Sequence, residues 1–548
     1  MIRKLRFFDS DSLKLIHKRV FFSITVFIFV YFISIYRISE VMLFSGINET
    51  NYSISKTNLR GDIFDRNGNI LATSISSVSI SLDPSKIKDK KIISAKLASI
   101  LNIDQISIEK KINTKKKFIW IKRNISPIEY QKIINLGEIN IKSHNEIKRI
   151  YPYKNTASHI VGHVSIDQDG QIGIERFFNR DLSQSKNIYL SLDINLQQQV
   201  REKLYSTIEH YNAESGLAIV MDVNSGQILS SVSLPDYNPE IKSTYDNNNL
   251  INRVFQSNYE MGSTFKPITA TMGFDYGIIN PDMKFDVRKK FLKIGDHDNY
   301  KDDGIYDVEK IIIESSNIGT AQIATKIGKQ NQKEFFKKIG FDERVDIENK
   351  EASKPLGNKH YWGPNETARI GFGHGFSITP LHLVKAYATL SNNGIEVKPT
   401  LQLNTKSNNN KVLINKNSSK FFLSLLDSVV LKTKYTGPRI KIDGYKIGGK
   451  TGTSELLNPE GGYYKDRNMT SFIGIFSTNK TKYVIYTAIT YPKKEEGTDQ
   501  KMTGARVNAP LVKEIIIDII NLFNIPKKNK ELLKTDTKYL YKFTNATV

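Results

Sequence analysis

The longest unbroken apolar run lies near the start of the chain. Val20 to Tyr36 holds no charged residue and sits between Arg19 and Arg37. At about 1.5 Å per residue this reaches the short end of a membrane-spanning helix, and Met42-Leu43-Phe44 extends its apolar surface. Arg3, Lys4, Arg6, Lys14, Lys18 and Arg19 precede it, against only Asp9 and Asp11. That excess of positive charge predicts a cytoplasmic N-terminus. A cleaved signal peptide would carry a shorter apolar stretch and a small-x-small site. Here Arg37-Ile38-Ser39-Glu40 follows, which favours an uncleaved anchor. No second run of this length appears, so the chain from about residue 45 is expected outside the cytoplasm.

Past the anchor the pattern becomes mixed. Ile63, Phe64, Ile70 and Leu71 flank the turn Asp65-Arg66-Asn67-Gly68, which reads as a hairpin. Val78–Leu82 alternates as a strand, Ile92–Leu101 has helical spacing, Phe118–Ile121 reads as a short strand and Tyr130–Leu136 as a short helix. From 191 to 525 the pattern predicts one large domain. Ala218–Asp222 and Gln227–Val232 are strands around the turn Asn224-Ser225-Gly226. Helical spacing dominates the middle, including Asp307–Ser315 and Leu381–Ser391, and strands return at Ser471–Phe476 and Tyr483–Thr490. Strands at both ends with helices between suggest an α+β or α/β architecture in which distant strands share a sheet. Residues 526–548 are Lys-rich and patternless, and read as a tail.

The length, 548 residues, leaves room for about three or four domains. The 79 basic against 56 acidic residues give a net charge of +23. Such a charge raises nucleic acid as a partner. The lysines are scattered among Ile and Asn, however, with no RNP, zinc-knuckle or recognition-helix pattern, and an anionic membrane or cell wall suits them better. The chain has no cysteine, which excludes disulfides, thiolate metal sites and a Cys nucleophile.

Three short motifs carry candidate chemistry. Ser263-Thr264-Phe265-Lys266 is an S-x-x-K. If Ser263 begins a helix, Lys266 lies one turn on, on the same face. A serine hydroxyl needs a base, and a buried lysine of depressed pKa can be one. Ser315-Ser316-Asn317 is an S-x-N at the end of a helical stretch. Ser315 could relay protons and Asn317 could hold a substrate amide, but a C-capping Asn is equally consistent. Gly449-Lys450-Thr451-Gly452-Thr453 offers small residues that let a substrate backbone approach a strand, a cation, and hydroxyls for a carboxylate. A phosphate loop does not fit its spacing. Asp296-His297-Asp298 could bind a metal, but lacks a fourth ligand and reads better as a solvated loop.

Taken in order, S-x-x-K, S-x-N and K-T-G resemble the motif set of penicillin-binding proteins and serine β-lactamases. Tyr259-Glu260-Met261-Gly262-Ser263-Thr264-Phe265-Lys266-Pro267 is similar to that family's nucleophile block, with Met261 at the usual Pro. Arg60-Gly61-Asp62-Ile63-Phe64-Asp65-Arg66-Asn67-Gly68 resembles the opening signature of class B penicillin-binding proteins. Arg149-Ile150-Tyr151-Pro152, His159, Gly162 and Gly173-Ile174-Glu175 resemble the block that closes their pedestal. Met221-Asp222, Gly226 and Pro235-Asp236-Tyr237-Asn238-Pro239 resemble the start of their transpeptidase domain. Asn317, followed by Ile318-Gly319-Thr320-Ala321, and Ile370-Gly371-Phe372-Gly373-His374-Gly375 with Thr379-Pro380-Leu381, resemble the cell-division (septal) branch. His374 departs from many of these and is expected to pack beside the cleft.

The resemblance implies an α+β fold: a cytoplasmic tail (1–19), a transmembrane anchor (20–44), an elongated non-catalytic pedestal (45–190), a transpeptidase domain (191–525) and the tail (526–548). The transpeptidase domain should have an antiparallel sheet flanked by helices and an all-helical subdomain. It implies a D,D-transpeptidase of the inner membrane that cross-links peptidoglycan stem peptides at the septum. Ser263 would be the nucleophile and Lys266 its base. Ser315, Asn317 and Lys450 would complete the catalytic set, and Thr451, Gly452 and Thr453 would bind the D-alanyl-D-alanine donor. β-Lactams would inhibit it, no cofactor or metal would be needed, and division proteins would be partners, among them a glycan-strand polymerase. Rival readings are the elongation branch, a β-lactamase or β-lactam sensor, and a non-enzymatic division scaffold.

Overall fold

The computed structural model describes residues 10–43, 59–296, 303–357, 362–403, 411–458, 460–493 and 501–527. Contacts divide the chain into two units, Met1–Asn58 and Leu59–Val548. The described residues of the first form one helix, Ser10–Leu43. Its segment His17–Ser39 is long and apolar enough to cross a membrane once, and none of it is buried by protein. Phe21 and Phe27 are 75% and 81% exposed, which a helix packed in a soluble core would not allow. Thr25 and Ser34 return their hydroxyl protons to the carbonyls of Phe21 and Val30, so neither carries an unsatisfied donor into lipid. The helix runs past both ends of the expected apolar run, since flanking charges can reach the interface. Phe44 lies outside the described residues.

In the second unit, the expected strand pieces at 70–71 and 78–82 are one strand, Ile70–Leu82. Over Val78–Leu82 its alternation of apolar residues with Ser fits a period of two. It pairs antiparallel with Ile119–Ile125 and with Ile141–Ile150, the latter from Thr73 opposite Ile150 to Leu82 opposite Ile141. Helices Lys90–Leu101, Gln105–Ile112 and Pro127–Ile134 bury Leu97, Leu101, Ile108, Ile112 and Ile133 against Ile80, Leu82 and Ile121. The third begins earlier than its apolar spacing predicts. Ser126 and Glu129 form a capping box there, Glu129 N donating to Ser126 Oγ at 3.2 Å and Ser126 N to Glu129 Oε2 at 2.7 Å.

The opening signature and the two ends of the closing block meet in one buried cluster. Glu175 accepts from Arg60 Nε at 2.6 Å and from Arg149 Nε at 2.8 Å. Arg149 Nη1 also donates to the Arg60 carbonyl and to Ser74 Oγ. In the adjoining turn, Asp65 Oδ2 accepts from the backbone of Ile194. One continuous core includes Ile63, Leu71, Ile160 and Ile174 together with Ile219, Met221 and Val254.

The large sheet has five antiparallel strands in the order Lys446–Leu457, Tyr463–Ser477, Lys482–Thr490, Ser215–Asp222, Ile228–Leu234. Early and late strands thus share it, as the sequence suggests. Both faces are covered. Ala218, Val220, Ile485, Ile489, Phe472 and Phe476 pack with helix Ile194–His210, through Val200 and Leu204, and with helix Gly504–Leu522. Their alternates Leu217, Ile219, Met221, Tyr486 and Ile473 share a core with Ile268, Phe422 and Leu426 from the helical side. Lys446–Leu457 stands at one edge of the sheet, paired on one side only among the described residues.

Candidate active site

Ser263 lies in a single 3-10 turn, Gly262–Phe265, that runs into helix Lys266–Asp275. The expected helical start at Ser263 is therefore a tighter turn. Gly262 enters it at φ +52°, where a Cβ would meet the Thr453 carbonyl oxygen at 2.6 Å. Only glycine fits this close approach. Ser263 is half-buried, while Lys266 is fully buried. The half-buried serine of the turn is thus followed one turn on by a water-excluded lysine.

The second motif departs from its expected setting. The helix read as Asp307–Ser315 spans Val308–Ile313, and Ser315 breaks it at φ +56°. Ser316 then caps a new helix, Asn317–Ile339, its hydroxyl accepting from Gly319 N at 2.9 Å. Asn317 opens a helix and does not cap the end of one. Its Oδ1 accepts from Lys266 Nζ at 2.7 Å, and its Nδ2 donates to the Gly295 carbonyl at 3.4 Å.

Lys450 lies within the edge strand and is 1% exposed. Its Nζ donates to Ser315 Oγ at 3.0 Å, and Lys266 Nζ stands 3.2 Å from the same oxygen. Lys266 also donates to the Ser315 carbonyl. Two buried lysines therefore converge on one hydroxyl. Burial, and then the Lys450 charge, push the Lys266 amine well below the ordinary lysine range, with Asp296 opposing. Burial alone lowers Lys450 to about 7. Lys450 can therefore exchange a proton near neutrality.

Thr451 and Thr453 alternate with Lys450 and Gly452 along the strand, so the two hydroxyls share one face. They are half-buried and exposed, respectively. A Cβ on Gly452 would meet Ser471 Oγ at 2.4 Å and Thr264 Cγ2 at 2.9 Å. Its lack of a side chain lets the strand press against the nucleophile turn. All eight expected site residues are thus gathered where the turn, the start of helix Asn317–Ile339 and the edge strand meet.

Asp296 escaped the sequence reading, which placed it in a solvated loop or at a metal. Its Oδ1 accepts from the backbone of Asn317 at 2.5 Å and of Ile318 at 3.0 Å, and its Oδ2 from Ser316 Oγ at 2.6 Å. A carboxylate at a helix N-terminus is stabilised there. Only the rule that such a terminus attracts an anion could have found it, and no spacing pointed to this one. His297 and Asp298 lie outside the described residues, and among those described no cluster of metal-ligating side chains occurs. His374 packs beside the nucleophile turn, stacked on Tyr463 with ring centroids 4.9 Å apart.

Known proteins resemble this chain over most of its length. Residues 216–516 match the penicillin binding protein transpeptidase domain, and residues 55–191 the penicillin-binding protein dimerisation domain. The chain is 28% identical over 489 residues to a probable peptidoglycan D,D-transpeptidase FtsI of Caulobacter vibrioides, covering 86% of this chain and 82% of that one. It is 26% identical to peptidoglycan D,D-transpeptidase FtsI of Escherichia coli, covering 85% and 84%. Stage V sporulation protein D of Bacillus subtilis is 27% identical, with 87% and 81% covered. A crystal structure of a peptidoglycan synthetase from Bifidobacterium adolescentis shares the fold, with a TM-score of 0.66 at 19% identity over 86% of this chain and 96% of that one. With the transpeptidase domain alone matching more than half of its length, the chain belongs to the penicillin-binding protein transpeptidase family, as a class B member of the FtsI type.

Proposed function

We propose that this chain cross-links peptidoglycan stem peptides during septum formation, through an acyl-enzyme on Ser263. The observation that carries the reading is the convergence of Lys266 and Lys450 on Ser315 Oγ, with Lys266 one turn after the half-buried Ser263. Lys266, neutral in its buried setting, takes the proton from Ser263 Oγ. That oxygen attacks the carbonyl carbon between the two terminal D-alanines of a donor stem peptide. The backbone N–H groups of Ser263 and Thr453 receive the oxyanion, each worth about 3–4 kcal/mol in comparable sites. The C–N bond breaks as Ser315 and Lys450 pass a proton to the leaving D-alanine. Asn317 holds a substrate amide, and the donor lies along the open side of the edge strand as an added strand. Gly452 lets that strand lie against the nucleophile turn, while Thr451 and Thr453 hold the terminal carboxylate. An amine of a second stem peptide then displaces Ser263 and forms the cross-link. A β-lactam mimics the donor and stays attached.

The septal assignment rests on Asn317 with Ile318-Gly319-Thr320-Ala321 and on the Ile370–Gly375 block. Residues 1–19 lie in the cytoplasm, 20–44 cross the inner membrane, 45–190 form the pedestal and 191–525 the transpeptidase domain outside it, with 526–548 as a tail. Division proteins, including a glycan-strand polymerase, are the partners. Depletion of the chain in its host tests this. Filaments are expected, with septa restored by the wild-type chain and not by Ser263→Ala at equal abundance. Round, swollen cells would indicate the elongation branch instead.

A further inference from the structure

A carboxylate that the proposed mechanism does not use lies three residues before the nucleophile. The Glu260 side chain is 4% exposed and stands in a two-residue strand, Tyr259–Glu260, opposite Ser377. Burying a carboxylate is costly unless donors surround it. Its donors come from two segments far off in sequence. Gly375 N donates to Oε1 at 2.9 Å, and the Tyr463 hydroxyl donates to the same oxygen at 2.7 Å. Oε2 stands 3.0 Å from His374 Nδ1, outside hydrogen-bond alignment. The His374 ring lies flat on Tyr463, at an interplanar angle of 23°. Burial and the Glu260 carboxylate push the Tyr463 phenol up, so it remains a donor at neutral pH.

The segments that Glu260 joins are those that enclose Ser263. Gly262 N donates to the Gly373 carbonyl at 3.1 Å. A Cβ on Gly373 would meet the Gly262 carbonyl oxygen at 2.3 Å, and one on Gly262 would meet the Thr453 carbonyl oxygen at 2.6 Å. The backbones at 262, 373 and 453 are therefore in direct contact, with no slack between them. Tyr463 sits opposite Leu457 in the hairpin that carries Thr453. A displacement at Tyr463 or at the 373–375 turn would pass to the backbone on either side of the nucleophile.

We propose that Glu260 is a positioning residue: by tying the 373–375 turn and the Tyr463 arm of the edge hairpin to the strand before Ser263, it sets the spacing of the Ser263 and Thr453 backbone N–H groups. This rests on the reading of Ser263 as the acylated serine. The group acts through the backbone and touches no reacting atom. It should therefore affect the chemical step more than the binding of the inhibitor, because donors must meet the oxyanion and not the ground-state carbonyl.

The test uses the full-length chain in detergent with benzylpenicillin, resolving the binding constant from the acylation rate constant. Glu260→Met keeps an unbranched side chain of similar length and removes the acceptor for both Gly375 N and the Tyr463 hydroxyl. It should slow acylation about tenfold with the binding constant within about twofold, a split that a barrier change of about 1.4 kcal/mol produces. Tyr463→Phe should slow it several-fold, and the double variant should be no slower than Glu260→Met alone, since Glu260→Met already cuts the Tyr463 tie. Wild-type acylation rates in both single variants, fully additive effects, or a loss confined to binding would each overturn the proposal. If Glu260→Met does not fold, Tyr463→Phe, on a partly exposed side chain, carries the test, and a wild-type acylation rate there overturns the proposal. Ser263→Ala is the separate control. Label persisting there refutes the reading of Ser263, whereas an unchanged Glu260→Met refutes only the positioning role.

Discussion

The two lysines differ in what surrounds them, and this gives their protonation states separate consequences. Lys266 has the Lys450 charge as a neighbour in addition to burial, while Lys450 is lowered to about 7 by burial alone. The active form on this account has Lys266 neutral and Lys450 protonated. Acylation should then be bell-shaped in pH. It rises on the acid side as the pair loses its first proton, and falls on the alkaline side, near pH 7, as Lys450 loses the second. Lys450→Arg keeps its charge at any accessible pH, so the alkaline limb should move upward or vanish; a limb that stays in place would contradict the assignment. Lys266→Arg keeps a cation and cannot act as a base near neutrality. It should slow acylation by penicillin about 10²–10⁴-fold in stopped-flow or gel-based labelling. At this scale the sequence was legible, because the chemistry needs these residue types in this order. The pKa depressions were legible only as a requirement, since burial is a property of the fold.

Among the elements, the start of helix Asn317–Ile339 and the edge strand do most to build the site. The sequence read the first as the end of a helix, because apolar spacing runs on through Ile313 toward Ser315. What interrupts it is the left-handed backbone at Ser315 together with the Ser316 cap, neither of which leaves a periodic trace. Asp296 holds that helix start from a loop remote in sequence. Asp296→Ala should cost about 1 kcal/mol of stability, as loss of a carboxylate at a helix N-terminus does. It should also slow acylation by about tenfold, as Asn317 and Ser315 lose their support. Thermal unfolding and penicillin labelling measure the two separately, and unchanged labelling would show that the cap is only structural. The helix Gln105–Ile112 and the strand Ile141–Ile150 were not expected either. Their buried residues are few and lie among lysines and other polar groups, so local pattern alone does not distinguish them.

At the scale of the whole molecule, the buried cluster of Arg60, Arg149 and Glu175 joins the opening signature to both ends of the closing block. The signatures were visible in the sequence, but their meeting was not, since it depends on a fold that brings residues 115 positions apart together. Glu175→Ala leaves two guanidinium groups buried without their carboxylate. That should destabilise the unit by about 3–5 kcal/mol. A large drop in the unfolding midpoint of the detergent-solubilised chain is expected, and a midpoint near that of the wild type would show that the cluster is not needed for stability. The anchor was the most legible element of all, because lipid demands a long apolar run that no short-range pattern imitates.

The most direct test of the central claim is peptide mapping by mass spectrometry after incubating the full-length chain with a labelled penicillin. The account predicts one adduct, on Ser263, that is absent from Ser263→Ala. An adduct on another serine, or labelling that survives the substitution, would contradict it.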